Sequence, residues 1–208
     1  MTGRWHTVPV IHDTVLVGPD VRLEPLGPEH AADLLPLIDA AAWFGFTTPT
    51  PTSTAALAEW IDAAVATPGR LAFVVRSTPP GAPPDSSPGE VRGTTSFYDL
   101  DRALGRVEIG HTLYGRPWWG GRTNPATKLL LLTHAFDTWG LRRVALRADA
   151  RNMRSLAAIA RLGATREGVL RQHRVAADGT VGDTVYFSVL ADEWPRVRDG
   201  LHRRLARP

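Results

Sequence analysis

"GRVEIGHTLYGRPWWGGRTNPATKLLLL" (105–132) changes period along its length. Residues 105–115 alternate as a strand does, and the apolar run after 124 is spaced for a helix. Between them lies a turn rich in glycine and tryptophan. Gly120 and Gly121 can take backbone angles closed to other residues. Asn124 is a good N-cap, and Pro125 suits a first helical position, where its missing N–H costs nothing. With Arg122 and Thr123, the glycines can aim successive N–H groups at one point at the positive end of the helix. Such a point suits a pyrophosphate, and Arg116 and Arg122 would add charge-assisted bonds. A plain turn before a helix is the rival reading. No G-x-x-x-x-G-K-[ST] passes through the stretch, and no G-x-G-x-x-G occurs in the chain.

Working outward, "VRLEPLG" (21–27) alternates as a strand, with Val21 and Leu23 on one face. "GPEHAADLLPLIDAAAWF" (27–44) opens with a proline and acids, which predicts a helix. The Thr/Pro stretch 47–54 is a loop that supplies Ser53 or Thr54 as N-cap for a helix over 55–67. Residues 71–77 form a strand. "TPPGAPPDSSPGE" (78–90), with five prolines, reads as a surface excursion of a long hairpin. Strands over 91–101 and 105–115 form the next hairpin. After the helix that Gly140 ends come a strand (141–149), a helix (152–163) closed by Gly163, two strands (164–175 and 181–190) and a terminal helix. This order predicts an α/β (α+β) fold: a mixed, mostly antiparallel central sheet flanked by helices. One domain over 1–208 is the economical organisation, its first 14 residues a flexible or extended segment.

Composition narrows the function. Of 208 residues, 43% are apolar and 22% charged, as in an ordinary soluble globular protein. There is no cysteine, which rules out disulfides and thiolate nucleophiles or metal ligands. No signal core and no run of membrane-spanning length is present, so the chain reads as cytoplasmic, without a membrane partner. The net charge is +3 and the arginines are scattered, whereas a nucleic-acid binder concentrates them on one face. Lys128 is the only lysine. No metal-ligand spacing, HExxH or G-x-S-x-G appears.

The span 105–175 resembles the acetyl-CoA-binding core of the GNAT N-acetyltransferase superfamily, and more narrowly its RimJ/RimL-type branch. The resemblance rests on "EIGHTL" (108–113), the tryptophan-glycine turn 118–124, "GLRRV" (140–144), "DARNMRS" (149–155) and "RLGATREGVLRQH" (161–173). "RLEPL" and "GDTVYFSVLADEWP" extend it over most of the chain. It implies a GNAT-like sheet with a splayed parallel pair, here strands 105–114 and 141–149, and acetyl-CoA as co-substrate in the opening. The pyrophosphate loop maps onto Trp119, Gly120, Gly121, Arg122, Thr123 and Asn124, with Arg122 where a second glycine is usual. Asn124 and Lys128 resemble an asparagine and a nearby lysine found in one branch. Backbone groups at Ile109, His111 and Leu113 would pair with the pantetheine arm. Asn152 resembles the family asparagine that bonds this arm, and it also reads as the N-cap of helix 152–162.

Transfer from a thioester to an amine needs a base for the amine and stabilisation of the departing thiolate. The family's tyrosine acid falls on Ile159, so that acid is missing. Ser155 resembles the serine of RimJ/RimL-type enzymes and is the candidate for contact with the thioester. Glu108 is the candidate base; its rival role is a surface or paired glutamate. His111 shares its face only if the strand is bulged. Trp43, Phe44 and His173 are candidates for the acceptor pocket, as are Phe46 and Trp60, although aromatics at such positions also serve as core. The resemblance implies a primary amine as acceptor, either a protein N-terminus or a small molecule, and family members often form homodimers. A GNAT-like module that binds acyl-CoA without catalysis, as a sensor, is the rival function.

Overall fold

A computed structural model describes residues 12–78, 87 and 89–206. Residues 1–11 of the N-terminal segment and most of the proline-rich stretch 78–90 lie outside the described residues. The strands are β1 (Leu16–Val17), β2 (Val21–Pro25), β3 (Leu71–Ser77), β4 (Val91–Asp101), β5 (Arg106–Tyr114), β6 (Arg143–Asp149), β7 (Thr165–Val175) and β8 (Val181–Leu190). All eight join one sheet in the order β1-β2-β3-β4-β5-β6-β8-β7. Every pairing is antiparallel except β5 with β6. This is the mixed sheet the sequence predicts. β1 is an addition: two residues paired with β2 are too short to show a period.

Period-two strands bury both faces of the sheet. Phe73 and Val75 of β3 point into a core built with α4 (Thr123–Thr133), α5 (Met153–Ala160) and α6 (Trp194–Leu205). Ala72 and Val74 point into a second core with α1 (Ala31–Leu34), α2 (Ala40–Trp43) and α3 (Thr54–Val65). The helix expected over 27–44 is broken into short turns. Pro36 has no N–H to bond back along the helix, and its ring crowds the carbonyl four residues earlier. Asp39 then caps a fresh turn, its Oδ1 accepting from the Ala42 N–H at 2.7 Å. Ser53 caps α3 by accepting from the Ala56 N–H at 3.2 Å.

The start of α4 also departs from expectation. The helix begins at Thr123, so Asn124 lies inside its first turn and does not cap it. Thr123 is buried and accepts a bond from Arg92 Nη1 at 3.2 Å, which draws it into the first turn.

Two irregularities of β5 open a gap in the sheet and redirect the strand's side chains. Its parallel pairing with β6 covers only Arg106, Val107 and Glu108, against Arg143, Val144 and Ala145. Beyond that point the two strands separate. On the other side, Thr94 pairs with Leu113 and Ser96 with Gly110, so β5 carries one extra residue. His111 adopts φ 46 at this bulge. The bulge exchanges the faces of the strand: Val107 and Ile109 lie in the first core and Leu113 in the second.

Gly93 sits opposite Tyr114, just past the bulge. A Cβ there would lie 1.9 Å from the Leu113 carbonyl oxygen, a backbone atom that cannot step aside. Gly93→Ala is therefore expected to cost about 3 kcal/mol or more, read as a fall of several degrees in the thermal midpoint of the purified protein.

Candidate active site

Where β5 and β6 part, a cavity of about 670 Å³ opens from the start of α4 to the β4–β5 bulge. At its centre lies a charged cluster. Glu108 is buried, and its Oε1 accepts a bond from the Tyr98 hydroxyl and faces Arg147 Nε at 2.9 Å. Arg147 Nη1 in turn donates to the Tyr186 hydroxyl at 2.7 Å. Burial raises the Glu108 carboxyl above the ordinary glutamate value, and the Tyr98 bond and the Arg147 charge partly oppose it. The Tyr98 hydroxyl is raised as well, first by burial and then by the neighbouring carboxylate. Tyr98 and Arg147 line the cavity; Glu108 lies behind them.

The bulge brings His111 to this cluster. Its ring centroid is 5.0 Å from that of Tyr98 and 6.3 Å from that of Phe46. Desolvation, Arg70 and Arg147 all disfavour its cationic form, so the imidazole is neutral at pH 7.

At the other end, the amides of residues 120–124 precede the first bond of the helical ladder, from the Ala126 N–H to the Arg122 carbonyl at 2.9 Å. Gly120 takes φ 76. Trp119 holds the turn by donating from Nε1 to the Tyr114 carbonyl at 2.7 Å, and Arg154 stacks on its ring at 3.6 Å. Trp118 packs on the first core beneath Arg92. Lys128, one helical turn further on, is buried; its Nζ donates to Thr112 Oγ1 at 3.2 Å and has no carboxylate partner among the described residues. Burial pushes its pKa down to about 7.

The cavity gathers Ile109, His111, Leu113, Trp119, Gly120, Gly121, Asn124, Asn152, Ser155, Phe44 and His173. It does not gather every predicted residue. Arg122 turns its guanidinium to Asp20, at 2.9 and 3.0 Å, and to the Leu205 carbonyl, instead of into the cavity. Arg116 pairs with Asp39. Thr123 is buried against Arg92. Trp43 is core: its ring stacks on Phe46 at 4.4 Å and meets Trp60 edge-on, while its Nε1 donates to the Thr48 carbonyl at 2.9 Å.

Asn152 caps α5, accepting from the Ser155 N–H at 3.0 Å, and its Nδ2 donates to the Phe44 carbonyl at 3.1 Å. Sequence reasoning missed Tyr98, Arg147 and Arg70. Counting across the hairpin from Asp101 and Arg106 sets Asp99 opposite Glu108, so even the cross-strand pairing did not signal Tyr98. Among the described residues, no group of His, Asp or Glu side chains is arranged to hold a metal, and no helix is long and apolar enough to cross a membrane.

Residues 20–165 match the acetyltransferase (GNAT) domain. Over 106 residues the chain is 33% identical to YdaF of Bacillus subtilis (strain 168), provisionally named a ribosomal N-acetyltransferase; the match covers 51% of this chain and 57% of that protein. The chain spans just over half the length of the curated relatives it matches. A GCN5-related N-acetyltransferase from Brucella melitensis superposes with a TM-score of 0.83 at 29% identity, covering 94% of this chain and 86% of that one. Mycobacterium smegmatis RimJ, in complex with CoA-disulfide, superposes with a TM-score of 0.74 at 21% identity, covering 93% and 94%, a likeness of fold.

The buried Lys128 gives a signed prediction. Between its folded pKa of about 7 and the ordinary lysine value of 10.5, the unfolded chain keeps a proton that the folded chain lacks. Stability from this group therefore rises with pH across that window, and below it the burial penalty is complete. Lys128→Met should stabilise the ligand-free protein by about 1–4 kcal/mol at pH 6. Denaturant titrations should show the gain shrinking as pH approaches 10.

Proposed function

Since the chain belongs to the GNAT acetyltransferase family, we propose that it is an acetyl-CoA-dependent N-acetyltransferase of RimJ/RimL type, passing the acetyl group directly to a primary amine in the cytoplasm. One observation carries the reading. A single cavity joins the amides at the start of α4 to the buried Glu108–Tyr98 pair, along the edge that β5 exposes where it leaves β6.

The fit to the co-substrate follows from the residues. The backbone amides of Gly120, Gly121, Arg122, Thr123 and Asn124 hold the pyrophosphate at the positive end of α4. Arg122 serves through its amide alone, because its side chain is committed to Asp20. Arg154, Arg161, Arg204 and Lys128 line the same cavity and add positive charge. Backbone groups of residues 109–113 pair with the pantetheine amides, as an added strand would. Asn152 spends part of its amide on Ser155 and Phe44, and offers its remaining lone pair and hydrogen to the arm. The co-substrate supplies a thioester carbonyl open to attack.

Glu108 takes the proton that the amine loses as its nitrogen bonds to the acetyl carbon and the C–S bond breaks. Tyr98 stands between Glu108 and the cavity, so the proton passes through its hydroxyl, with Arg147 keeping the carboxylate ionised. Ser155, on the cavity face of α5, faces the departing sulfur. Phe44, Phe46, Trp60 and His173 wall the acceptor side. The chain has no cysteine to carry an acyl-enzyme, which favours direct transfer. The acceptor is a protein N-terminus, in keeping with the name given to YdaF, or a small amine.

An assay that reads free thiol from acetyl-CoA across a panel of amines tests the reading. Glu108→Gln should lower kcat by about 10²-fold or more with little change in CoA affinity. CoA binding without thiol release, unaffected by Glu108→Gln, would mark a silent acyl-CoA-binding module. The Tyr98 bond lowers the Glu108 pKa, so its loss raises it. Tyr98→Phe, which also removes the relay hydroxyl, should lower kcat and move the acid limb of the residual kcat/KM profile to higher pH, because the base works deprotonated.

A further inference from the structure

The acceptor end of the cavity has an unbalanced charge. On this wall stand three arginines, Arg70, Arg147 and Arg174, against one lining carboxylate, Asp149. That carboxylate is occupied: Arg151 Nη2 lies 2.8 Å and Arg174 Nε 3.5 Å from its Oδ2. Glu108, behind the wall, is held by Arg147 and Tyr98. No acidic side chain is therefore left to attract a second positive charge on an acceptor.

Arg70 stands apart within this set. It enters the cavity wall just before β3, beside Tyr98 and His111 and close enough for its charge to disfavour the His111 imidazolium. Its Nε donates to Ser96 Oγ at 3.1 Å, and its guanidinium lies 5.5 Å from the centre of the Trp60 ring. Among the described residues it has no carboxylate within ion-pair distance, although it is partly buried. The other two arginines on this wall are paired, Arg147 with Glu108 and Arg174 with Asp149. A half-buried guanidinium on a cavity wall, fixed at Nε by a hydroxyl and without a carboxylate partner among the described residues, is suited to receive a planar anion in a forked contact.

We infer that the acceptor amine carries a carboxylate a few bonds away, and that Arg70 binds this carboxylate while the amine meets Tyr98 and Glu108. The inference rests on the transferase reading above and narrows its substrate class. The carboxylate has two sources: the amine's own α-carboxylate in a free amino acid, or an acidic side chain early in a peptide. The fork fixes the acceptor's orientation, and the neutral His111 beside it adds no charge of its own. Cationic polyamines, which would bring further positive charge to this wall, are disfavoured.

Matched acceptor pairs test this with the full-length protein and acetyl-CoA. One arm compares free amino acids with their C-terminal amides. The other compares peptides bearing Asp or Glu at the second position with the same peptides bearing Asn or Gln. kcat/KM is read from thiol release, and acceptor affinity for the CoA-loaded protein from calorimetry. In one arm the acid should exceed its neutral match by about tenfold to a hundredfold, and the winning arm identifies the source. Arg70→Gln should bring the acid-to-neutral ratio close to one, and Arg70→Lys, which keeps the charge but loses the fork, should leave an intermediate ratio. Because the readout is a ratio, a general loss of rate or stability in the variants does not mimic it. Binding or turnover of acids and neutral matches with equal efficiency in both arms overturns the inference and leaves the transferase reading standing. Failure to bind CoA at all overturns the transferase reading itself.

Discussion

The parallel pairing of β5 with β6 lasts three residues, and the site follows from its ending. Had it continued, the backbone of β5 beyond Glu108 would be satisfied by β6, and no edge or cavity would exist. Two devices keep the strands apart. The bulge at His111 turns β5 onto a new course, and α4 and α5 fill the first core beneath the gap with Leu131, Leu132 and Ile159. An opening in the middle of a sheet leaves unpaired backbone groups. That is tolerable only where something polar meets them, water or an extended amide-bearing ligand.

The same opening sets the electrostatics. Glu108 is the last residue of β5 still paired to β6, so its side chain emerges at the apex of the gap, where solvent is scarce. A lone carboxylate there would be neutralised by desolvation. The Tyr98 hydroxyl and the Arg147 guanidinium, delivered by the strands on either side, keep it ionisable. Three strands thus each supply one member of the cluster, and neighbouring registers fix their spacing. Glycine has a part here too: a Cβ on Gly110 would lie 2.8 Å from the Tyr98 ring, so this position must stay bare for the ring to reach Glu108.

Much of this was legible in the sequence. β3, β4 and β8 begin and end where their alternation predicts, and Asn152 caps α5 as read, although the helix ends at Ala160, three residues before the left-handed Gly163. What escaped depends on chain crossings. Counting across the hairpin from the Asp101–Arg106 pair sets Glu108 against Asp99. Asp99 adopts φ 51, the register slips by one residue, and Tyr98 takes that place. No local pattern announces such a slip. Pro36 was visible, yet the acids and alanines around it suggested one continuous helix over 27–44. Trp43 and Phe44 looked alike as aromatics at a helix end; the direction of the short turn α2 buries the first and exposes the second.

The chain's single lysine lies inside the protein, 5% exposed, and its other basic side chains, histidine aside, are arginines. Guanidinium groups stay protonated and are poor nucleophiles, whereas an exposed ε-amine reacts slowly with any activated acyl donor. Activated acyl donors pose that hazard to any exposed amine. With no lysine exposed on its surface, this protein offers no ε-amine to acyl donors in bulk solvent; its one ε-amine, that of Lys128, lies in the cavity wall.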